Sequence, residues 1–180
     1  MSINRVLLAI PAALLLAACG GGDGATGPNE NPGPGQNGTF SGTIAGGLSK
    51  SVTGEAVFGT SAAEGGFALM LGDDNDGFVF GREVAGIPGT GTYEMWDLTD
   101  DETEEEEMPE TAISGVFGLT NGGTSHLCYT TGGTITITTS TSTRLAGNLN
   151  VTATCYNAAS GAPTNITLTG QFNGVGGQVD

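Results

Sequence analysis

The carboxylates of Asp73, Asp74 and Asp76, with Glu83 further on, are the hard oxygen ligands that calcium takes from a loop. Aligned on a helix-loop-helix calcium loop, Asp74, Asp76, Gly77 and Glu83 fall at its third, fifth, sixth and twelfth positions. Gly72 stands at the first position, where an aspartate ligand belongs, and the flanks Phe67-Ala-Leu-Met-Leu and Phe78-Val-Phe read as strands. Asp, Asn and Gly are also the residues a hairpin turn requires, so the segment is read first as a turn and second as a calcium site. Asp97 to Glu110 carries nine carboxylates, including Glu104-Glu-Glu-Glu107, and could gather cations or a basic partner. Such a run is more simply a solvated loop held open by its own repulsion. Tyr93 and Trp96 just before it suit either an aromatic contact surface or the core. His126 is the single histidine, so any Ser-His-Asp or Cys-His catalyst must use it, and no nucleophile elbow accompanies it. Paired carboxylates could serve a glycosidase, but spacing singles out no pair among so many turn acids. The expectation is a non-catalytic chain. Asn37, Asn150 and Asn165 each begin an Asn-x-Thr triplet, which a threonine-rich chain produces by accident.

The elements that position these residues are strands. Alternating runs such as Thr134-Ile-Thr-Ile-Thr138, rich in β-branched residues and broken by glycine, have the period of two of antiparallel strands. Candidate strands lie near 39–46, 51–59, 65–72, 77–84, 90–96, 111–120, 124–140, 144–156 and 164–173. Short glycine-rich links between them suggest successive hairpins. The expected fold is all-β, an antiparallel sandwich or flattened barrel of about 8–10 strands, since either arrangement hides most strand edges. The β domain is expected over 39–175, with a short tail at 176–180.

The first residues differ in kind. Arg5 precedes an apolar run from Val6 to Ala18, which is shorter than the roughly 20 apolar residues that span a bilayer and has the length of a signal-peptide core. The run ends in Leu16-Ala17-Ala18-Cys19, and these four residues resemble the lipobox of bacterial lipoproteins. The resemblance implies a signal peptide over 1–18, cleavage before Cys19 and a diacylglycerol on its thiol. Gly20 after the cysteine, in place of aspartate, implies the outer membrane. Several acyl chains, at about 0.8 kcal/mol per buried CH₂, make an anchor that rarely leaves the membrane. Residues 19–38 are almost all Gly, Pro, Asn and other small or polar types, a composition that reads as a flexible linker spanning on the order of 25 Å.

With Cys19 lipidated, Cys128 and Cys155 remain, and an oxidising envelope compartment permits a disulfide between them. If Gly132-Gly133 were a tight turn, Cys155 would sit too far along a third strand for a bridge. If the glycines form a bulge within one long strand, the turn falls near Ser140–Thr143 and Cys128 comes opposite Cys155 to within one residue. The second arrangement is favoured, with two free buried cysteines as the alternative. A bridge would restrict the unfolded chain by roughly 3.5 kcal/mol. Leu145, Gly147, Leu149, Val151, Ala153 and Cys155 share one face of the following strand, with Asn148, Asn150, Thr152 and Thr154 on the other.

Gly133-Thr-Ile-Thr-Ile, Arg144-Leu-Ala-Gly-Asn-Leu-Asn-Val and Ile166-Thr-Leu-Thr-Gly-Gln-Phe resemble the closing strands of certain uncharacterised β-rich bacterial lipoproteins. Ile87-Pro-Gly-Thr-Gly-Thr-Tyr is similar to a segment those proteins carry upstream. The resemblance implies no activity.

Charge narrows the partners. After Cys19, nineteen carboxylates face only Lys50, Arg82 and Arg144, a formal charge of −16. Such a surface repels nucleic acid and anionic headgroups, so no nucleic-acid partner is expected. The remaining expectation is a lipid-anchored, non-catalytic β module for a protein or glycan partner, with a calcium-stabilised adhesion or carbohydrate-binding module as the alternative and a carboxylate-based hydrolase third.

Overall fold

β-Branched and aromatic residues alternating with small polar ones build nine strands in the computed structural model, which describes residues 37–60, 65–99 and 108–177. All of these belong to one compact unit, Pro32–Asp180. The leader, Cys19, nearly all of the linker and the centre of the acidic run lie outside the described residues. The strands are β1 (Gly38–Gly46), β2 (Lys50–Thr60), β3 (Phe67–Gly72), β4 (Gly77–Arg82), β5 (Gly91–Met95), β6 (Ala112–Asn121), β7 (Thr124–Ser140), β8 (Arg144–Asn157) and β9 (Pro163–Gly176). β1 therefore begins at Gly38, and β9 extends to Gly176.

Between sandwich and barrel, the pairing of the first and last strands decides. β1 and β9 run antiparallel from Thr39↔Asn173 to Gly46↔Ile166, and the sheet closes into a barrel. Eight strands alternate up and down around it. The links β1–β2, β3–β4, β6–β7 and β8–β9 share one end, called here the hairpin end. The start of β1 and the end of β9 lie at the other.

β5 departs from the simple succession of hairpins. The order around the barrel is β4-β6-β5-β7, because β5 is wedged into a seam between β6 and β7. Those two strands pair directly only from Val116↔Tyr129 to Asn121↔Thr124. Beyond that, the bulge between Thr130 and Gly132 bends β7. β5 fills the gap, antiparallel to β7 at Tyr93↔Ile135 and parallel to β6 at Glu94↔Ala112. The fully buried Thr130 holds the seam: its hydroxyl donates to the Trp96 carbonyl (2.8 Å) and accepts from the Gly115 N–H (3.1 Å).

The bulge also confirms the long β7 strand. Gly133 has φ +99°, and a Cβ there would stand 2.2 Å from the Asn150 carbonyl oxygen, so only glycine fits. The turn falls after Ser140, and Cys128 pairs in register with Cys155. A disulfide joins the two across 27 residues on the inner face of the wall.

Inward-facing side chains fill the lumen, as expected of a small barrel. Phe40 on β1 meets Phe78 on β4 (ring centroids 5.4 Å apart), Phe78 meets Phe117 on β6 (5.3 Å), and Phe117 meets Phe80 (5.3 Å). Ile44, Leu69, Leu145, Val151 and Leu168 pack around this chain of rings.

Candidate functional site

The carboxylate loop forms the β3–β4 turn at the hairpin end. Asp73 caps it: its Oδ1 accepts from the N–H groups of Asn75 (2.8 Å) and Asp76 (3.0 Å), as an Asx turn does. Asp76 turns inward and is buried. Its Oδ2 pairs with Lys50 Nζ at 2.6 Å, and its Oδ1 accepts from the Thr120 N–H at 3.0 Å. Lys50 also donates to the Thr120 carbonyl (2.7 Å). One ion pair thus ties the start of β2, the β3–β4 turn and the end of β6. Asp74 is exposed.

Glu83 lies apart from the other three carboxylates of the calcium reading. It follows β4, whose six residues put it about 20 Å from the Asp73–Asp76 turn at strand rise, towards the opposite end of the barrel. The helix-loop-helix spacing fails because the chain after Gly77 is extended rather than wound back on the loop. Asp73, Asp74 and Asp76 stay together in the turn, with Asp76 committed to Lys50 and Thr120. Among the described residues, no group of three or more His, Cys, Asp or Glu is arranged to hold a metal ion.

His126 faces inward at the hairpin end, opposite Leu119 on one side and Asn157 on the other. Its Nδ1 is buried and makes no hydrogen bond among the described residues. Two residues on, the only cysteines on β7 and β8 are bonded to each other. Tyr93 is half-buried against the core, its hydroxyl donating to the Gly89 carbonyl (3.0 Å) and its ring 5.8 Å from the Arg82 guanidinium. Trp96 is half-buried and donates its backbone N–H to the Ile113 carbonyl. These two aromatics are placed by the seam. Of the acidic run, the described ends are 97–99 and 108–110. Of the Asn-x-Thr asparagines, Asn37 bonds Glu55, Asn165 accepts from the Thr154 hydroxyl (3.0 Å), and Asn150 is exposed.

An organised polar surface lies on the outer wall of β7, β8, β9 and β1. Register sets its side chains in rows across the strands. Thr136, Asn148, Gln171 and Ser41 form one row, and Thr134, Asn150, Thr169 and Thr43 the next. Neighbours in a row lie about 5 Å apart and rows about 7 Å apart. Two shallow troughs, nearly flat and open to solvent, follow one another along β9. The first, about 480 Å³, lies over Ser41–Thr43, Asn148 and Thr169–Gln171. The second, about 430 Å³, lies over Ala45, Thr131, Thr152 and Asn165–Thr167.

An aromatic pair adjoins the second trough. Tyr129 lies two residues before Thr131 on the same face of β7, and its ring centroid is 6.2 Å from that of Tyr156 on β8. Tyr156 is 38% exposed and its register partner Leu127 44%, so the patch presents apolar area to solvent. No carboxylate or lysine occurs anywhere from residue 111 to 179, and Arg144 is the one arginine there.

Comparison with protein-family models, curated proteins and solved structures finds no match for this chain.

The tyrosine pair and the Lys50–Asp76 bond are the features that sequence reading missed. For the tyrosines a signal exists: Cys-Tyr occurs twice, at Cys128-Tyr129 and Cys155-Tyr156. Once the cysteines are opposite, the tyrosines are diagonal neighbours on the outer face. For Lys50 and Asp76 the only signal is rarity, since Lys50 is the sole lysine in the chain.

Proposed function

We propose that the chain is a membrane-anchored envelope lipoprotein whose barrel is a non-catalytic binding module that works through its outer wall. The observation that carries this reading is the filled lumen: the phenylalanine rings from β1, β4 and β6 touch one another across it. A ligand therefore has the surface to bind to, and the polar wall with its tyrosines is an organised part of that surface. The lipobox Leu16-Ala17-Ala18-Cys19 supports lipid anchoring at Cys19, with the short polar segment after it as a tether. The strongly negative composition supports a partner other than nucleic acid.

The test has two parts in intact bacteria. Palmitate labelling and membrane fractionation should mark the wild-type chain and lose it on Cys19→Ala. A photo-crosslinker at Asn148 or Thr169 should give a discrete, saturable adduct with an envelope component, while one at Gly122 on the hairpin turn should not. Unchanged lipid labelling on Cys19→Ala removes the anchor from the proposal. Crosslinking from Gly122 alone removes the wall.

A further inference from the structure

We infer that the wall formed by β7, β8, β9 and β1 binds a neutral polysaccharide strand, which lies along the two troughs and rests on Tyr129 and Tyr156. The inference deepens the binding-module reading and depends on it. Three observations converge on this ligand class. The first is charge. In a chain of formal mature charge −16, the rows carrying Asn148, Asn150, Thr169 and Gln171 hold no ionisable side chain across β7, β8, β9 and β1, and Glu94 on β5, opposite Thr134, is the carboxylate at their edge. A basic peptide would find its counter-charges elsewhere on the molecule, and an acidic polymer would be repelled by the chain as a whole. An uncharged ligand gains most from this wall.

The second is hydrogen-bond chemistry. Amide and hydroxyl side chains both donate and accept, so they match hydroxyl groups that do the same. Strand geometry repeats these groups every 5–7 Å or so in two directions, and a polymer of sugar units offers hydroxyls on a comparable repeat. The troughs follow β9 from Asn165 to Gln171, six residues or about 20 Å, long enough for several units of a chain.

The third is the aromatic pair. Tyr156 is exposed with no buried role for its ring, and it stands edge-on to Tyr129 beside the second trough. A tyrosine offers an apolar face and a polar hydroxyl at little conformational cost, which suits the apolar C–H face of a pyranose. Polar rows alone would be well served by water. The tyrosines supply the apolar burial that gives the wall affinity.

The experiment is affinity electrophoresis of the full chain through native gels containing a soluble neutral polysaccharide (a β-glucan, an α-glucan, a mannan or a galactomannan), with alginate and polygalacturonate as anionic probes. At least one neutral polymer should retard the protein and the anionic polymers should not. Tyr156→Ala should weaken retardation by about tenfold, as loss of a central aromatic anchor does. Gln171→Glu, which removes two donors without changing size, should weaken it severalfold. Both positions are exposed, so thermal melts report whether the variants fold. Absence of retardation by every neutral polymer overturns the inference, as does Tyr156→Ala binding like wild type. A concentration-dependent dimer in sedimentation that Gln171→Glu dissociates also overturns it, because the wall is then a self-interface. Failure here, with crosslinking from Asn148 or Thr169 intact in cells, removes the glycan and leaves the binding module standing.

Discussion

Asp76 shows how a residue chosen for chemistry turns out to hold the fold. Its two oxygens are engaged by Lys50 Nζ and the Thr120 N–H, and the carboxylate is buried. Removing one partner of such a pair leaves the other desolvated and uncompensated. Asp76→Ala should therefore cost about 2–3 kcal/mol, below the value for a fully buried pair because Lys50 remains partly exposed. Asp74→Ala should stay within about 0.5 kcal/mol, as surface changes do. Urea unfolding measures both. Millimolar calcium, or its removal by chelator, should leave the melt unchanged, since Glu83 lies at the far end of β4. A calcium-dependent rise in melting temperature would sink the turn reading. At this scale the sequence revealed residue types and the turn, because Asp-Asp-Asn-Asp-Gly is local chemistry. It hid the Lys50 contact, which spans 26 positions and exists only once β2 and β4 share a sheet.

Among the elements, β7 and β8 were the most legible, and the reason is covalent. Two cysteines that must come opposite each other leave one register for the strands between them, and that register requires the glycine bulge. Gly133→Ala should destabilise by about 2 kcal/mol or more, given its positive φ and the Asn150 carbonyl in the way. Gly118→Ala is the control. That glycine faces open space on β6, and alanine there should be neutral or slightly stabilising. Reduction of Cys128–Cys155 should lower stability by about 3 kcal/mol, or about 10 °C in melting temperature. Calorimetry with and without reductant reads this directly, and an unchanged melt would mean that the bridge adds nothing to β7–β8 pairing. β5 was legible as a strand but not in its place. Nothing local in Gly91–Met95 shows that it will run between β6 and β7. That position follows from the bend in β7 and from Thr130 binding both Trp96 and Gly115.

Across the whole molecule, closure and charge segregation come from the same arrangement. The carboxylates fall almost entirely before residue 111, so β6 to β9 and β1 carry none of them, with Arg144 at the start of β8 their one formal charge, while the rest carries the negative charge. Alternation in the sequence foretold the polar outer face of β8, but the wall exists only because β1 folds round to meet β9. Neither strand carries a mark that it pairs with the other, since period two specifies faces and leaves partners open. The pairing has a consequence for folding. It joins the two ends of the domain, so its contacts are as non-local as the chain allows, and such barrels fold slowly. The start of β1 and the end of β9 also share one end of the barrel, with Thr39 opposite Asn173. A circular permutant that links residue 177 to 37 through a short glycine-serine segment and opens between Gly122 and Gly123 should keep every strand pair. That turn is exposed and both glycines have positive φ, so cutting it removes little. The permutant should melt within several degrees of the parent and should refold faster, because β1–β9 becomes a local hairpin. Deleting β9 instead leaves β1 and β8 as open edges and should give an aggregating chain without a cooperative melt. Stopped-flow refolding and far-UV circular dichroism distinguish the two. A permutant that refolds no faster would show that closure by β1 and β9 is not the step that limits the barrel.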